Sequence, residues 1–249
     1  MTTQMQSMVT RADRWRRCGL SGRRTARTSF THYVGRAIVG SVTFCMGMTV
    51  CAVGAVASTA PSPRVVIQAF GGAPLNTPTT LKISQAGFPD LEHEASWTTK
   101  PLDQPFYWAL RIRWQQETTG WELQLLHHKL HLRNVNADIE HFEVTHGYNT
   151  LTAHHVWRLG RWHVRLGAGV VLPHAESTIR GRYAGTGPYR VRGPAALAGV
   201  GWEQPLGRRV LATAEAQGVA AVATTDVAGG RARVLALGLH LLVGIGVAF

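Results

Sequence analysis

Residues 231–249 alternate between large apolar side chains and mostly small ones. Every second position carries a large apolar residue: Leu235, Leu237, Leu239, Leu241, Val243, Ile245, Val247 and Phe249. Because successive side chains of a strand point to opposite faces, this pattern predicts a long strand with one entirely apolar face. Strands of soluble domains commonly have about five or six residues, whereas crossing a bilayer requires about nine to eleven.

Earlier segments repeat the alternation, with charged side chains on the second face. Residues 105–116, for example, place Arg111 and Arg113 opposite Trp108 and Trp114. No segment after residue 60 has a helical period. The pattern predicts an all-β chain with eight strands, at 79–88, 105–116, 120–132, 139–157, 161–173, 191–204, 208–225 and 231–249.

The connections between these predicted strands alternate in length. Those after strands two, four and six have three or four residues, whereas the others are longer on average. Outer-membrane barrels have an even number of strands, short periplasmic turns and longer external loops. The phase of the alternation therefore places both chain termini on the periplasmic side.

These features resemble bacterial outer-membrane β-barrel proteins over about residues 65–249. The resemblance includes Phe249, because a terminal aromatic residue forms part of the assembly signal in that class. It implies an eight-stranded antiparallel transmembrane β-barrel over 79–249, located in the outer membrane, with a narrow lumen filled by side chains. A soluble lipocalin-like barrel is the alternative, with its oily face inward and its arginines outside.

The N-terminal part of the chain has the order of a secretory signal. An arginine-rich start is followed by an uncharged stretch from Ala37 to Ala57, with small residues at the end that suit cleavage after Ala57. We therefore expect residues 1–57 to be a leader and 58–78 a periplasmic lead-in. A membrane anchor is the alternative for the apolar stretch.

The leader carries most of the formal charge of +12. Eight of the 26 basic residues precede residue 58, against one acidic residue, so +7 belongs to the leader and +5 to the remainder. The strong basic balance of the whole chain is therefore no indication of nucleic-acid binding. The remaining excess favours the anionic outer leaflet as the partner.

Histidines are concentrated around the predicted hairpin between strands three and four. If that hairpin turns near Val135 and Asn136, His128 lies across from Glu143 and both point into the barrel. A carboxylate that holds an imidazole is half of a general-base arrangement. The alternative is that these groups only satisfy the charges that fill a narrow lumen.

The same register places His127 and His146 next to each other on the lipid-facing surface, among Phe142, Val144 and Tyr148. Polar groups are unfavourable on that surface. Either a β-bulge that turns the strand over or a site that acts on lipid would explain them.

Residues 142–149 resemble part of the His-x-Ser-Asn motif of outer-membrane lipid A 3-O-deacylases. Those proteins are eight-stranded barrels with a lipid-facing Ser–His–Glu site that removes an acyl chain. His146 and Asn149 match the motif, and Tyr148 stands at the serine position, so Thr145 or a water activated by His146 would replace that nucleophile. The candidate catalytic residues are therefore His146, Glu143, His128 and Asn149.

Two functions from different classes remain open. One is hydrolysis of an acyl ester in outer-leaflet lipid. The other is a non-catalytic structural or binding barrel that uses its external loops, of which the basic loop Ser177–Gly193 suits lipopolysaccharide phosphates. The expected partners are outer-membrane lipid or lipopolysaccharide and, through Phe249, the barrel-assembly machinery. We expect a monomer with no bound cofactor, metal or nucleic acid.

Overall fold

The computed structural model describes residues 64–249, and the expected leader, residues 1–57, lies outside them. Within the described range no helix is long and apolar enough to cross a membrane. The strands, in chain order, are β1 (Arg64–Asn76), β2 (Thr79–Gln85), β3 (Leu91–Ala95), β4 (Trp97–Thr98), β5 (Trp108–Gln115), β6 (Thr119–His127), β7 (Leu130–Leu132), β8 (Ile139–Val144), β9 (Tyr148–Leu159), β10 (Trp162–Pro173), β11 (Glu176–Ile179), β12 (Arg182–Ala184), β13 (Gly193–Pro205), β14 (Val210–Val227) and β15 (Gly230–Ala248).

Eight of these strands form a closed antiparallel barrel. The order around the wall is β1, β5, β6, β9, β10, β13, β14 and β15, and the pairing of β1 with β15 closes it. The closing register places Ile67 opposite Val247 and Asn76 opposite Gly238. The predicted eight-stranded antiparallel barrel is therefore confirmed.

The first predicted strand was placed wrongly. The barrel begins with Arg64–Asn76, inside the range 58–78 that the sequence analysis assigned to a lead-in, whereas β2 is an extension beyond the wall. Both pair with β15, which is long enough to hold β1 along residues 238–248 and β2 along 230–233. Both segments can pair as strands, so the choice between them depends on which part of β15 each one meets.

The two faces of the wall have opposite polarity. The outward row of β15 is exposed, with Val243 and Ile245 at 66% and 61%, while the inward Arg111 and Arg165 are buried. A soluble lipocalin-like barrel would have the reverse arrangement, so that alternative is wrong. An apolar outer band around a polar interior is the arrangement of a transmembrane barrel, and the chain is located in the outer membrane.

The two ends of the barrel differ in structure. At one end, which we call the turn end, only short turns join β5 to β6, β9 to β10 and β13 to β14, as the sequence predicted. Five outward tryptophans lie close to it on adjacent strands: Trp114, Trp121, Trp157, Trp162 and Trp202. Tryptophans mark the membrane–water interface, and short turns mark the periplasmic side.

The other end, the loop end, carries folded structure instead of open loops. The β2–β3 hairpin extends the wall next to β15, and β12, β11, β8, β7 and β4 form a separate five-stranded sheet in that order. Apolar side chains of this sheet are buried, among them Trp97, Leu130, Ile139, Phe142 and Ile179. The predicted long connection at 226–230 is a tight turn, since β14 and β15 continue as one long hairpin.

Two predicted strands are divided where the chain leaves the wall. The segment 120–132 separates into β6 and β7, and 139–157 separates into β8 and β9. Gly147, with φ +123°, lies at the second break. This backbone conformation favours glycine, and it turns the chain from the five-stranded sheet into the wall.

Candidate functional site

The lumen is filled by a network of charged and polar side chains. Glu215 accepts hydrogen bonds from Arg111, and Arg165 and His163 also contact its carboxylate. On the other side, Glu122 lies 3.6 Å from Arg111 Nε and 3.2 Å from Arg165 Nη1. Three buried arginines thus balance three buried glutamates: Arg111, Arg113 and Arg165 with Glu122, Glu203 and Glu215. The inward orientation that the sequence predicted for these arginines is confirmed.

The register of the β7–β8 hairpin differs from the expected one. His131, not His128, lies opposite Glu143, because the turn is centred near Ala137 and Asp138. The Asn136 side-chain oxygen stabilises this turn. It accepts hydrogen bonds from the backbone N–H groups of Asp138 at 3.0 Å and Ile139 at 2.7 Å. The expected pair of His128 with Glu143 is therefore wrong.

The candidate catalytic residues lie in separate places at the loop end. His128 is buried at the mouth of the lumen, with Nε2 3.0 Å from the Asn76 side-chain oxygen. The Asn149 side-chain oxygen lies 2.7 Å from His127 Nδ1. His146 is exposed and rests edge-on against His174, with ring centroids 5.3 Å apart. No hydrogen bond or ion pair joins these four candidate residues to one another within residues 64–249.

Glu143 is the centre of a different cluster. Its carboxylate accepts a hydrogen bond from the Thr145 hydroxyl at 2.9 Å and lies 3.1 Å from His131 Nδ1, with His141 Nε2 at 3.6 Å. Burial lowers the pKa of His131, and the nearby Glu143 carboxylate partly opposes that shift. His131 is therefore mostly neutral at neutral pH and able to accept a proton.

The Glu143 cluster lacks the connection that an acyl-transfer triad requires. In a triad the imidazole stands between the nucleophile and the carboxylate, whereas here the carboxylate stands between Thr145 and His131. Among residues 64–249, no serine or threonine hydroxyl forms a hydrogen bond with a histidine ring. Neither His131 nor this geometry could be predicted without the correct hairpin register.

The apolar surroundings expected for the lipid-facing His127 and His146 are wrong, although His127 keeps the outward face of β6. Phe142 and Val144 are buried in the loop-end core, because β8 belongs to the five-stranded sheet and not to the wall, and Tyr148 is buried on the inward face of the wall strand β9. His127 is buried too, stacked on Trp108 with the two rings 9° from parallel.

A row of basic side chains continues the lipid-facing row of β15 at the loop end. Arg231 and Arg233 occupy the same outward face as Leu235, and both are exposed. Lys82 lies opposite Arg233 on β2 and is paired with Glu92 at 2.6 Å. We call Lys82, Arg231 and Arg233 the outer basic row. The alternation in the sequence extends along β15 to Arg231 and Arg233, but it does not predict that Lys82 lies beside them.

The charge of the described chain is distributed unevenly along the barrel axis. The loop end (77–107, 128–147, 174–192 and 224–233) holds ten basic and nine acidic residues. The network of the lumen is balanced. The turn end holds five arginines, Arg64, Arg158, Arg161, Arg208 and Arg209, against the single acid Glu117. Most of the net charge of +5 therefore lies on the periplasmic side, so net charge does not single out the outer leaflet.

Comparisons with known proteins give structural likenesses only. No protein-family model matches the chain, and no curated protein matches it. It is similar to Ail, the attachment invasion locus protein of Yersinia pestis, with 12% identity over 76% of this chain and 99% of that chain and a TM-score of 0.37. It is also similar to Neisserial surface protein A, with 14% identity over 77% of this chain and 100% of that chain and a TM-score of 0.34.

A further likeness is to the N-terminal β-barrel domain of Pseudomonas aeruginosa OprF, with 14% identity over 76% of this chain and 98% of that chain and a TM-score of 0.34. Similarities at this level do not transfer a function. The closed wall, its apolar exterior and its charged interior are properties of the chain itself. On these grounds the chain is a bacterial outer-membrane β-barrel with eight wall strands and a folded loop end.

Proposed function

We propose that the protein is a non-catalytic outer-membrane barrel that binds phosphorylated outer-leaflet lipid through its outer basic row. The observation that carries this proposal is the change from leucine to arginine along one face of β15. Leu235 is the last apolar residue of the lipid-facing row, and Arg233 and Arg231 follow it outward. At about 3.3 Å per residue, their Cα atoms lie roughly 7 and 13 Å beyond Leu235 along the strand.

This position corresponds to the level of lipid head groups rather than of acyl chains. The guanidinium group forms bidentate hydrogen bonds with phosphate oxygens, and its planar fork suits them better than an ammonium group does. Neither Arg231 nor Arg233 has an acidic partner within 4.0 Å among residues 64–249, whereas the loop-end Arg180 and Arg192 are engaged by Asp138 and Asp226. The two unpaired arginines are thus available to a ligand.

Lipid binding can be tested with purified protein in nanodiscs. Wild type and the double variant Arg231→Gln/Arg233→Gln are titrated with lipid A in its phosphorylated and dephosphorylated forms, and bound lipid is measured by native mass spectrometry. We expect the double variant to bind the phosphorylated form about tenfold more weakly or worse, the loss expected for a charged hydrogen-bonding contact. The dephosphorylated form should bind weakly to both proteins.

The matched control is Lys100→Gln/Arg133→Gln, which removes two exposed loop-end charges away from β15. Heat-modifiable gel migration checks that each variant folds. Equal binding of phosphorylated lipid by wild type and the β15 variant, or an equal loss in the control variant, would overturn the proposal.

Hydrolysis of an acyl ester is a second candidate, favoured by one observation. Thr145, His131 and His141 all contact the carboxylate of Glu143 at a partly exposed position of the loop end. A water held there could be activated by His131, since Thr145 has no contact with an imidazole. The same incubations test this candidate, because loss of an acyl chain changes the mass of lipid A. If the mass of lipid A is unchanged after incubation with wild type, as with Glu143→Gln, the result counts against hydrolysis. The binding result is not affected by this outcome.

A further inference from the structure

The turn end contains a cavity whose lining includes six arginines. Its volume is about 130 Å³, several times the roughly 30 Å³ that one water takes in the liquid. Six arginines and a single carboxylate, that of Glu203, line it: Arg64, Arg113, Arg158, Arg161, Arg208 and Arg209. Lumen-facing Val66 and Ala248 also contribute, so the cavity is the periplasmic mouth of the barrel.

The carboxylates of the described residues do not neutralise this cavity. Glu203 is shared between Arg113 Nη2 at 2.7 Å and Arg158 Nη2 at 3.8 Å. Arg64 donates to the backbone oxygen of Arg208, and Arg161 donates to an uncharged glutamine side chain. Within residues 64–249, four of the six cavity arginines therefore have no acidic partner.

A buried group in the lining has unused hydrogen-bond donors. Arg113 is 1% exposed; its Nε has no hydrogen-bond acceptor in the described part of the chain, and its Nη1 has only the Glu122 carboxylate at 3.5 Å, outside hydrogen-bond geometry. A buried charged donor without an acceptor is unfavourable. An oxyanion in the cavity would supply the missing acceptors.

The cavity also lies at the level of the membrane interface. Arg158 follows Trp157 in the chain and Arg161 precedes Trp162, and both tryptophans belong to the outward aromatic set of the turn end. Such tryptophans lie at the depth of lipid head groups. The arginines of the mouth are therefore at the depth of head-group phosphates on the periplasmic side.

We infer that the arginine cavity is a binding site for a phosphate-type oxyanion on the periplasmic side of the membrane. Clustered guanidinium groups match tetrahedral phosphate oxygens and remain charged at any physiological pH. The phosphate can belong to a free anion or to an anionic phospholipid head group, and the two sources share this chemistry. The inference does not depend on the proposed function, which concerns the opposite end of the barrel.

The test uses purified full-length barrel protein and two phosphate sources. In the first arm, protein in a neutral detergent is titrated with inorganic pyrophosphate by calorimetry. In the second, protein is placed in nanodiscs of phosphatidylcholine with or without phosphatidylglycerol, and retained lipid is measured by native mass spectrometry. Arg208→Gln/Arg209→Gln is compared with wild type, and Lys100→Gln/Arg133→Gln removes the same charge from the loop end as a control.

We expect the turn-end variant to bind the phosphate source about tenfold more weakly than wild type, and the control to bind like wild type. Binding of pyrophosphate supports a free-anion site, and selective retention of phosphatidylglycerol supports a head-group site. Absence of binding in both arms, or equal losses in the two variants, would overturn the inference. Lipid A binding, measured on the same preparations, reports separately on the loop end.

Discussion

Glu215 illustrates how single side chains hold this barrel together from inside. Its buried carboxylate contacts the side chains of Arg111, Arg165 and His163, which belong to two other strands, β5 and β10. Removing one partner of a buried ionic group leaves the others as uncompensated charges in a medium of low polarity, which is strongly destabilising. Glu215 therefore links strands that are not neighbours in the wall.

The change Glu215→Gln is expected to lower the free energy of unfolding by about 3 kcal/mol or more at neutral pH. The control is Glu92→Gln, whose exposed pair with Lys82 should contribute less than about 1 kcal/mol. Urea unfolding of protein folded into lipid vesicles, followed by tryptophan fluorescence, measures both. Equal effects of the two changes would contradict a structural role for the lumen network.

At the residue scale, the alternation of apolar and polar residues was sufficient to predict which face of a strand each side chain occupies. It was not sufficient to predict which other side chains it contacts. It predicted that Arg111, Arg113 and Arg165 point inward, since strand geometry fixes the face of each side chain. It did not identify Glu215 as the shared acceptor, because that contact crosses the lumen between distant strands. The Glu143 cluster was missed for a related reason: a change of turn position exchanges His128 for His131.

Elements of this barrel fit together because small residues occupy the inward face where strands crowd. Gly167 on β10 faces the lumen beside β9, and a Cβ built there would collide with the His154 ring and the Ala153 carbonyl oxygen. Gly71 on β1 faces outward, with nothing within 4 Å of a built Cβ. Two glycines in wall strands thus have opposite environments.

Gly167→Ala is expected to destabilise the barrel by about 2 kcal/mol, since overpacking forces side chains or backbone to move. Gly71→Ala is expected to be neutral or to add about 0.5 kcal/mol, because alanine loses less backbone entropy than glycine on folding. The temperature at which heat-modifiable migration is lost, measured at fixed detergent concentration, ranks the two variants. The same loss at both positions would show that lumen crowding is not the cause.

Strand positions were predictable where both faces carried a clear signal. The segments around β5, β10, β13, β14 and β15 were located to within a few residues, because apolar and polar positions alternate along the strands of a membrane barrel. The first strand was missed, since glycines and a proline weaken the pattern of Arg64–Asn76. The better alternation of β2 belongs to an extension whose inward face packs on the loop-end core.

The whole molecule separates three charge environments along one axis. The loop end is nearly neutral in sum but carries an outward basic row, the lumen is balanced, and the turn end holds unpaired arginines around a cavity. Basic side chains without an acidic partner among residues 64–249 therefore lie at both ends, whereas the arginines of the lumen are paired with glutamates. The +5 of the described chain is explained mainly by the periplasmic mouth.

The filled lumen predicts that the protein forms no open channel. Eight wall strands enclose only enough space for side chains, and Arg111, Arg165 and Gln217 are at most 1% exposed. Wild-type protein is first shown to be folded by its heat-modifiable gel migration. In planar bilayers, this protein should produce no steady conductance above the background of a protein-free membrane. Reproducible unitary steps from such protein would show that the network opens.

The sequence by itself determined the all-β class, most of the wall strands and the polarity of the two faces, because alternation along a strand is a local property. Tertiary structure alone decided which segment closes the barrel, which histidine meets Glu143, and where the unpaired charge lies. Those outcomes depend on register between segments distant in the chain. A shift of a few positions in one turn changes every contact beyond it, and no local pattern records that shift.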